Sequence, residues 1–95
     1  MKNKITLKFN NTLSKLSGNS FGHSIYEEQV APYFKEEGCN VIVFPNNITG
    51  VAISFAQGFV RDIVDKFGKI NLDKYISIES SSEELSGLIL DKMKS

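Results

Sequence analysis

Val41-Ile42-Val43-Phe44-Pro45-Asn46-Asn47-Ile48-Thr49-Gly50-Val51-Ala52-Ile53-Ser54-Phe55-Ala56-Gln57-Gly58 reads as a strand, a loop and the start of a helix in succession. Four apolar residues in a row, Val41 to Phe44, match a short strand covered on both faces. Pro45-Asn46-Asn47 stops it. Ser54 and Gln57 have the spacing of a capping box, with Ser54 as N-cap and Gln57 reaching back. Beyond them Ala56, Phe59, Val60, Ile63, Val64 and Phe67 form an apolar stripe at helical spacing, and Gly68 closes the helix.

The flanks extend this pattern. Upstream, Ile5, Leu7 and Phe9 alternate with polar residues, the period-2 signature of a half-buried strand. Asn10-Asn11 suits a turn, after which Thr12–Leu16 can return as the second strand of a hairpin. Ser17-Gly18-Asn19-Ser20 breaks the chain and offers Ser20 as a helix cap. Tyr26, Val30, Tyr33 and Phe34 then repeat at helical spacing, with Pro32 bending the helix and Gly38 at its C-cap. Downstream, Tyr75, Ile76 and Ile78 suggest another strand. Ser81 and Glu84 form a second capping box before Leu85, Leu88, Ile89 and Met93. Strands alternating with helices imply crossover connections and a largely parallel sheet. The expectation is a single small α/β domain over 1–95. It has two layers, with a mixed, mostly parallel sheet of about four strands, a hairpin edge and three helices.

Composition narrows the function. The chain has 95 residues, with eleven Lys+Arg against eleven Asp+Glu. Nucleic-acid binding normally leaves a basic footprint, and this balance shows none. One cysteine excludes an internal disulfide. No apolar run approaches the ~18 residues of a membrane span. The start, Met1-Lys2-Asn3-Lys4-Ile5, turns polar too soon for a secretory signal. The expected setting is cytoplasmic, with no nucleic-acid or membrane partner.

Few residues carry a chemical signal. Gly18-Asn19-Ser20-Phe21-Gly22 spells G-x-S-x-G, and His23 follows. A nucleophile elbow needs a strand before the serine and a histidine from later in the chain. Here Leu13–Ser17 is a poor strand, and the one histidine lies three residues on, along the same helix. Ser20 reads instead as a cap and His23 as structural, with no second ligand type nearby for a metal. Cys39 precedes a buried strand beside Glu36 and Glu37, an inert setting for a thiol. Asn10-Asn11-Thr12 and Asn47-Ile48-Thr49 match the glycosylation pattern, without a secretory signal to give it meaning. No cofactor or metal is expected.

The 45–58 segment is the best site candidate, because it leads from a strand end to a helix start at the carboxyl edge of a sheet, where α/β domains meet ligands and partners. Asn46, Asn47, Thr49, Gly50, Ser54, Gln57 and Gly58 are the candidate partner-binding residues. Gly58 costs an early helix position ~1 kcal/mol relative to alanine, and close backbone approach, either within the fold or to a partner, would account for it.

Val41–Phe44, the loop, Ile53–Val60 and the closing Phe67-Gly68 together resemble the bacterial STAS-like domain family of unassigned function. Its Ser-Phe-Ala helix start is matched by Ser54-Phe55-Ala56. The resemblance implies a fold like that of anti-sigma-factor antagonists, which bind a serine kinase of the histidine-kinase-like ATPase type and are switched by phosphorylation. It places Phe44 and Ala52 where that wider family has aspartates, and Ile53 at the phosphoacceptor. Ser54, the next residue, is the candidate for phosphorylation with a one-residue shift. The function expected is a non-enzymatic regulatory domain, a monomer or weak homodimer. It would bind a histidine-kinase-like ATPase or another signalling protein through the 46–54 loop and the helix that follows. A small-ligand sensor of nucleotides or anions is the alternative, and a hydrolase built on Ser20 and His23 is the third reading.

Overall fold

The computed structural model describes residues 2–95. Three parallel strands form the main sheet: β1 (Lys2–Thr6), β3 (Cys39–Val43) and β5 (Ile76–Glu79), in the order β1-β3-β5. Between them run α1 (Asn19–Ile25) and α2 (Ile53–Phe67), and α4 (Glu83–Lys94) follows β5. A short helix α3 (Leu72–Tyr75), which the sequence pattern did not announce, precedes β5. The four helices and the three-stranded main sheet differ from the expected three and about four, while the α/β class and the parallel sheet hold. No helix among the described residues is long and apolar enough to cross a membrane.

The expected hairpin is absent, because Lys15–Leu16 does not return against β1. It forms β2, which pairs in parallel with β4 (Gly50–Val51) in a separate two-stranded sheet. The physical reason lies in Leu16, which is fully buried and alternates with exposed Lys15. Its side chain finds the core from beside Val51, and the backbone follows. All the observed pairings are therefore parallel, and no antiparallel edge exists among the described residues.

Packing lies on one side of the main sheet. The register aligns Ile5, Ile42 and Ile78 in one row, facing a layer in which α2 packs against α1 on one side and α4 on the other. The core includes Leu7, Phe44, Phe55, Phe59, Ile63 and Ile89. On the opposite face, in the rows Lys4-Val41-Ser77 and Thr6-Val43-Glu79, Lys4, Thr6 and Glu79 are exposed, Val43 and Ser77 half-buried and Val41 buried. There the Lys4–Glu79 ion pair, 3.5 Å long, crosses over β3. The unbroken apolar run Val41–Phe44 thus belongs to a central strand covered by helices on one face only.

Local signals explain most element ends. Gly68 ends α2 at φ 88°, a conformation that glycine adopts without strain. The first helix stops earlier than Gly38. After Ile25 it widens into a π-turn over Tyr26–Val30, in which the Ala31 N–H reaches the Tyr26 carbonyl, then tightens over Ala31–Tyr33 and leaves at extended Phe34. Pro32 accounts for this, because it has no N–H to donate and its ring crowds the carbonyl four residues back. Each capping position also moves by one or two. Gly18 stands at the start of α1 in place of Ser20, which lies inside the helix. Ser82 in place of Ser81 caps α4, accepting from the Leu85 N–H at 3.0 Å.

Two constraints hold the layers in register. At the α1–α2 crossing, Gly22 and Gly58 each lie against the other helix's backbone. A methyl on Gly58 would overlap Asn19 O and sit 2.8 Å from Asn19 C, and one on Gly22 would overlap Phe55 O. Beneath the sheet's other end, the fully buried Asn40 donates to Lys35 O (2.8 Å) and Tyr75 O (2.9 Å) and accepts from Lys35 N–H (2.8 Å) and Asn3 Nδ2 (2.9 Å). One amide thereby ties β1, β3, the 35–38 turn and the approach to β5.

Gly58→Ala should lose about 3 kcal/mol or more in urea unfolding, because rigid backbone cannot yield to the methyl. Gly87→Ala, on open α4 surface with nothing within 4 Å, should gain about 0.4–1 kcal/mol. Asn40→Ala should cost about 2–3 kcal/mol through the polar groups it strands. A loss under about 0.5 kcal/mol would refute the linking role of Asn40.

Candidate functional site

Because the three main strands are parallel, their carboxyl ends open at one edge of the sheet, and α1, α2 and α4 all start there. The 44–52 segment crosses this edge, but it is not a free loop. Thr49 N–H donates to Ser14 O (2.7 Å), Ala52 N–H to Leu16 O (2.8 Å), and Lys92 Nζ of α4 to Val51 O (2.7 Å). Ile48 and Val51 are buried beneath it. The segment is a braced ridge.

This bracing sorts the candidate residues. Asn46 and Gln57 are exposed and carry no side-chain hydrogen bond to the rest of the protein among the described residues. Asn47 is exposed but donates to Leu13 O at 2.8 Å, and the Thr49 hydroxyl donates to Ser14 O at 3.3 Å. Gly50 lies within β4, half-buried against Lys15. Gly58 is the correction among them. It is buried at the α1–α2 crossing, where its missing side chain admits Asn19, so it is unavailable to a partner.

Ser54 also departs from expectation. Ala52 is the N-cap of α2, without a side-chain hydrogen bond, and Ser54 is the second helical residue. Its Oγ instead accepts from the Gly18 N–H at 3.0 Å, joining the starts of α1 and α2. The capping box with Gln57 does not form, because the backbone turns helical two residues earlier than the box requires. Ser54 remains exposed. Two apolar neighbours that were not among the candidate partner-binding residues are exposed on the same helix starts: Phe21 at 37% and Ile53 at 49%. Phe21 packs edge-on to Phe55 (centroids 5.5 Å apart) and to Phe9 (6.3 Å). The signal for Ile53 was its spacing, one turn before Gln57 and therefore on the same face of α2.

Between α2 and α4 runs a shallow groove of about 260 Å³, lined by Gln57, Arg61 and Val64 of α2, Met93 of α4 and Asn19 of α1. Arg61 lies 3.5 Å from Asn19 Oδ1. Gln57 borders both the groove and the ridge.

The Ser20–His23 pair is not assembled. His23 turns both ring nitrogens to carboxylates: Nε2 stands 3.1 Å from each Asp62 oxygen, and Nδ1 is 3.4 Å from Glu27 Oε1. The expectation that no ligand-type residues gather near His23 is therefore overturned by a residue of α2, 39 positions away, and by Glu27 one helical turn on. Cys39 is half-buried with Ser77 Oγ at 3.7 Å. Next to this cluster, Tyr26 is buried at the helix interface, with its ring edge-on to Phe59. Burial above all, then the Asp62 and Glu36 carboxylates, push its hydroxyl above the ordinary tyrosine pKa.

The folded chain thus holds the Tyr26 proton more tightly than the unfolded chain does. The stability this group contributes is complete below about pH 10 and is lost as pH rises through the raised folded value. Urea midpoints taken between pH 9 and 11 should fall more steeply for the wild type than for Tyr26→Phe. Parallel slopes would contradict this. No protein-family model, no curated protein and no solved structure matches the chain, so a functional reading has to come from the ridge, the groove and the side chains themselves.

Proposed function

We propose that the chain is a regulatory protein-interaction domain of the STAS-like kind, acting without catalysis of its own. It binds a signalling protein, with a histidine-kinase-like ATPase as the first candidate, through the 46–54 ridge and the start of α2. The observation that carries this reading is the pairing of exposed Phe21 and Ile53 with a ridge anchored from below by Ile48 and Val51. Exposed apolar side chains on a surface that also carries polar Asn46, Asn47 and Gln57 match the mixed composition of a protein-binding patch. A surface already braced loses little conformational freedom on binding.

Ser54 is the candidate phosphoacceptor of this surface. A phosphate there would add close to two negative charges at the second residue of α2, where the helix dipole favours them, within reach of the Gly18 N–H. Beside an acidic partner face the same charge would repel, which gives phosphorylation the sense of a release signal. The α2–α4 groove favours a second reading, a sensor of small anionic ligands held by Arg61 and Gln57.

Immobilised wild-type chain and the remote variant Leu88→Lys should capture the same ATPase-type partner from an extract of the source cell. The double variant Asn46→Lys/Ile53→Lys should lose at least tenfold of it. Capture indifferent to the ridge, or none, would overturn the interaction reading. A thermal shift with nucleotides, worth roughly 2.7 kcal/mol at ~100 times the dissociation constant, would move the assignment to the sensor.

A further inference from the structure

We propose that His23 and Asp62, oriented by Glu27, form a binding site for a divalent transition-metal ion such as zinc, bridging α1 to α2. The Nε2 of His23 stands 3.1 Å from both carboxylate oxygens of Asp62. Two donors each ~2.1 Å from one ion and ~95° apart around it are separated by about 3.1 Å, so the spacing suits an ion that sits to one side of the line joining them, with exposed Asp62 turning to meet it. Glu27 approaches the other nitrogen, Nδ1, at 3.4 Å. With an ion on Nε2, a carboxylate at this place would face the N–H of Nδ1 and orient the ring, the arrangement common behind metal-bound histidines.

Three further features favour an ion over a bare ion pair. Among the described residues, neither Glu27 nor Asp62 has a lysine or arginine nitrogen within 4.0 Å, so two negative charges face one imidazole without other neutralisation. The framework is rigid, since His23 follows Gly22, whose backbone is locked against Phe55 of α2. Access is open. The His23 side chain is only 17% exposed and held by its surroundings, whereas Asp62 and Glu27 face solvent, which can complete the coordination shell. A mixed imidazole and carboxylate donor set suits zinc, cobalt or nickel, whereas magnesium and calcium prefer oxygen alone.

The test is titration of the purified chain with zinc chloride alone. Calorimetry should give one ion per chain, and cobalt should give the visible absorption of an imidazole- and carboxylate-bound ion. His23→Ala and Asp62→Asn should weaken binding at least tenfold, and Glu27→Ala about tenfold. Cys39→Ser and Glu84→Gln should leave it unchanged. His23 is the chain's one histidine, so its ring resonances give a readout on the wild type that needs no variant: zinc should shift them in step with the calorimetric saturation. Ring resonances that stay in place, an absence of saturable binding, or affinity retained by folded His23→Ala would each overturn the site and leave His23 as an ion-paired side chain.

Discussion

The fold depends on the backbone contact between α1 and α2 at Gly22 and Gly58. Each glycine sits where a β-carbon would overlap main-chain atoms of the other helix, so the two helices approach until their backbones touch. That distance determines how Phe55 stacks on Phe59 and how Phe59 meets Phe44 at the edge of the sheet. It sets the separation of the two helix starts, short enough for Ser54 to accept from Gly18. It also determines the gap across which His23 meets Asp62. A helix pair kept apart by ordinary side chains would hold none of these relations.

The sheet's margins are handled by side chains acting as substitutes for strands. Beyond β1, the Gln29 amide accepts from the Lys8 N–H at 2.7 Å and donates to the Lys8 carbonyl at 2.8 Å, as a neighbouring strand would. Asn40 serves the amino end in the same manner, meeting backbone groups of Lys35 and Tyr75. Unpaired strand edges invite pairing with other chains, and a three-stranded sheet has two of them. Local amide caps allow so small a sheet to stand with one open face. The Cα radius of gyration, 12.0 Å, is close to the ~12 Å expected of one compact unit of this length.

The candidate surface was partly legible beforehand. The position of residues 46–54 followed from the strand-then-helix pattern and the rule that parallel strands present their carboxyl ends together. The availability of its side chains did not, because it depends on which distant groups they meet. Asn47 and Thr49 face Leu13 and Ser14, over thirty positions earlier. Gly58 raised a question that the sequence left open between a neighbour and a partner, and the backbone of Asn19 answers it. Phe21 and Ile53 lie at helix starts and belong to no recurring motif, which is why their exposure went unread.

Taken alone, the sequence determined the α/β class, the largely parallel character of the sheet, the existence and approximate span of the two longer helices and the end of α2 at Gly68. Each of these is written in periodicities of two or 3.6 residues and in glycine's backbone freedom, which act within a few positions. Tertiary structure decided the rest. It set Leu16 beside Val51 and away from β1, moved the cap of α2 to Ala52, and gave Ser54 to Gly18. It also carried Asp62 to His23 across 39 positions. Those outcomes depend on which buried faces fit together in three dimensions, and no short-range pattern records that fit.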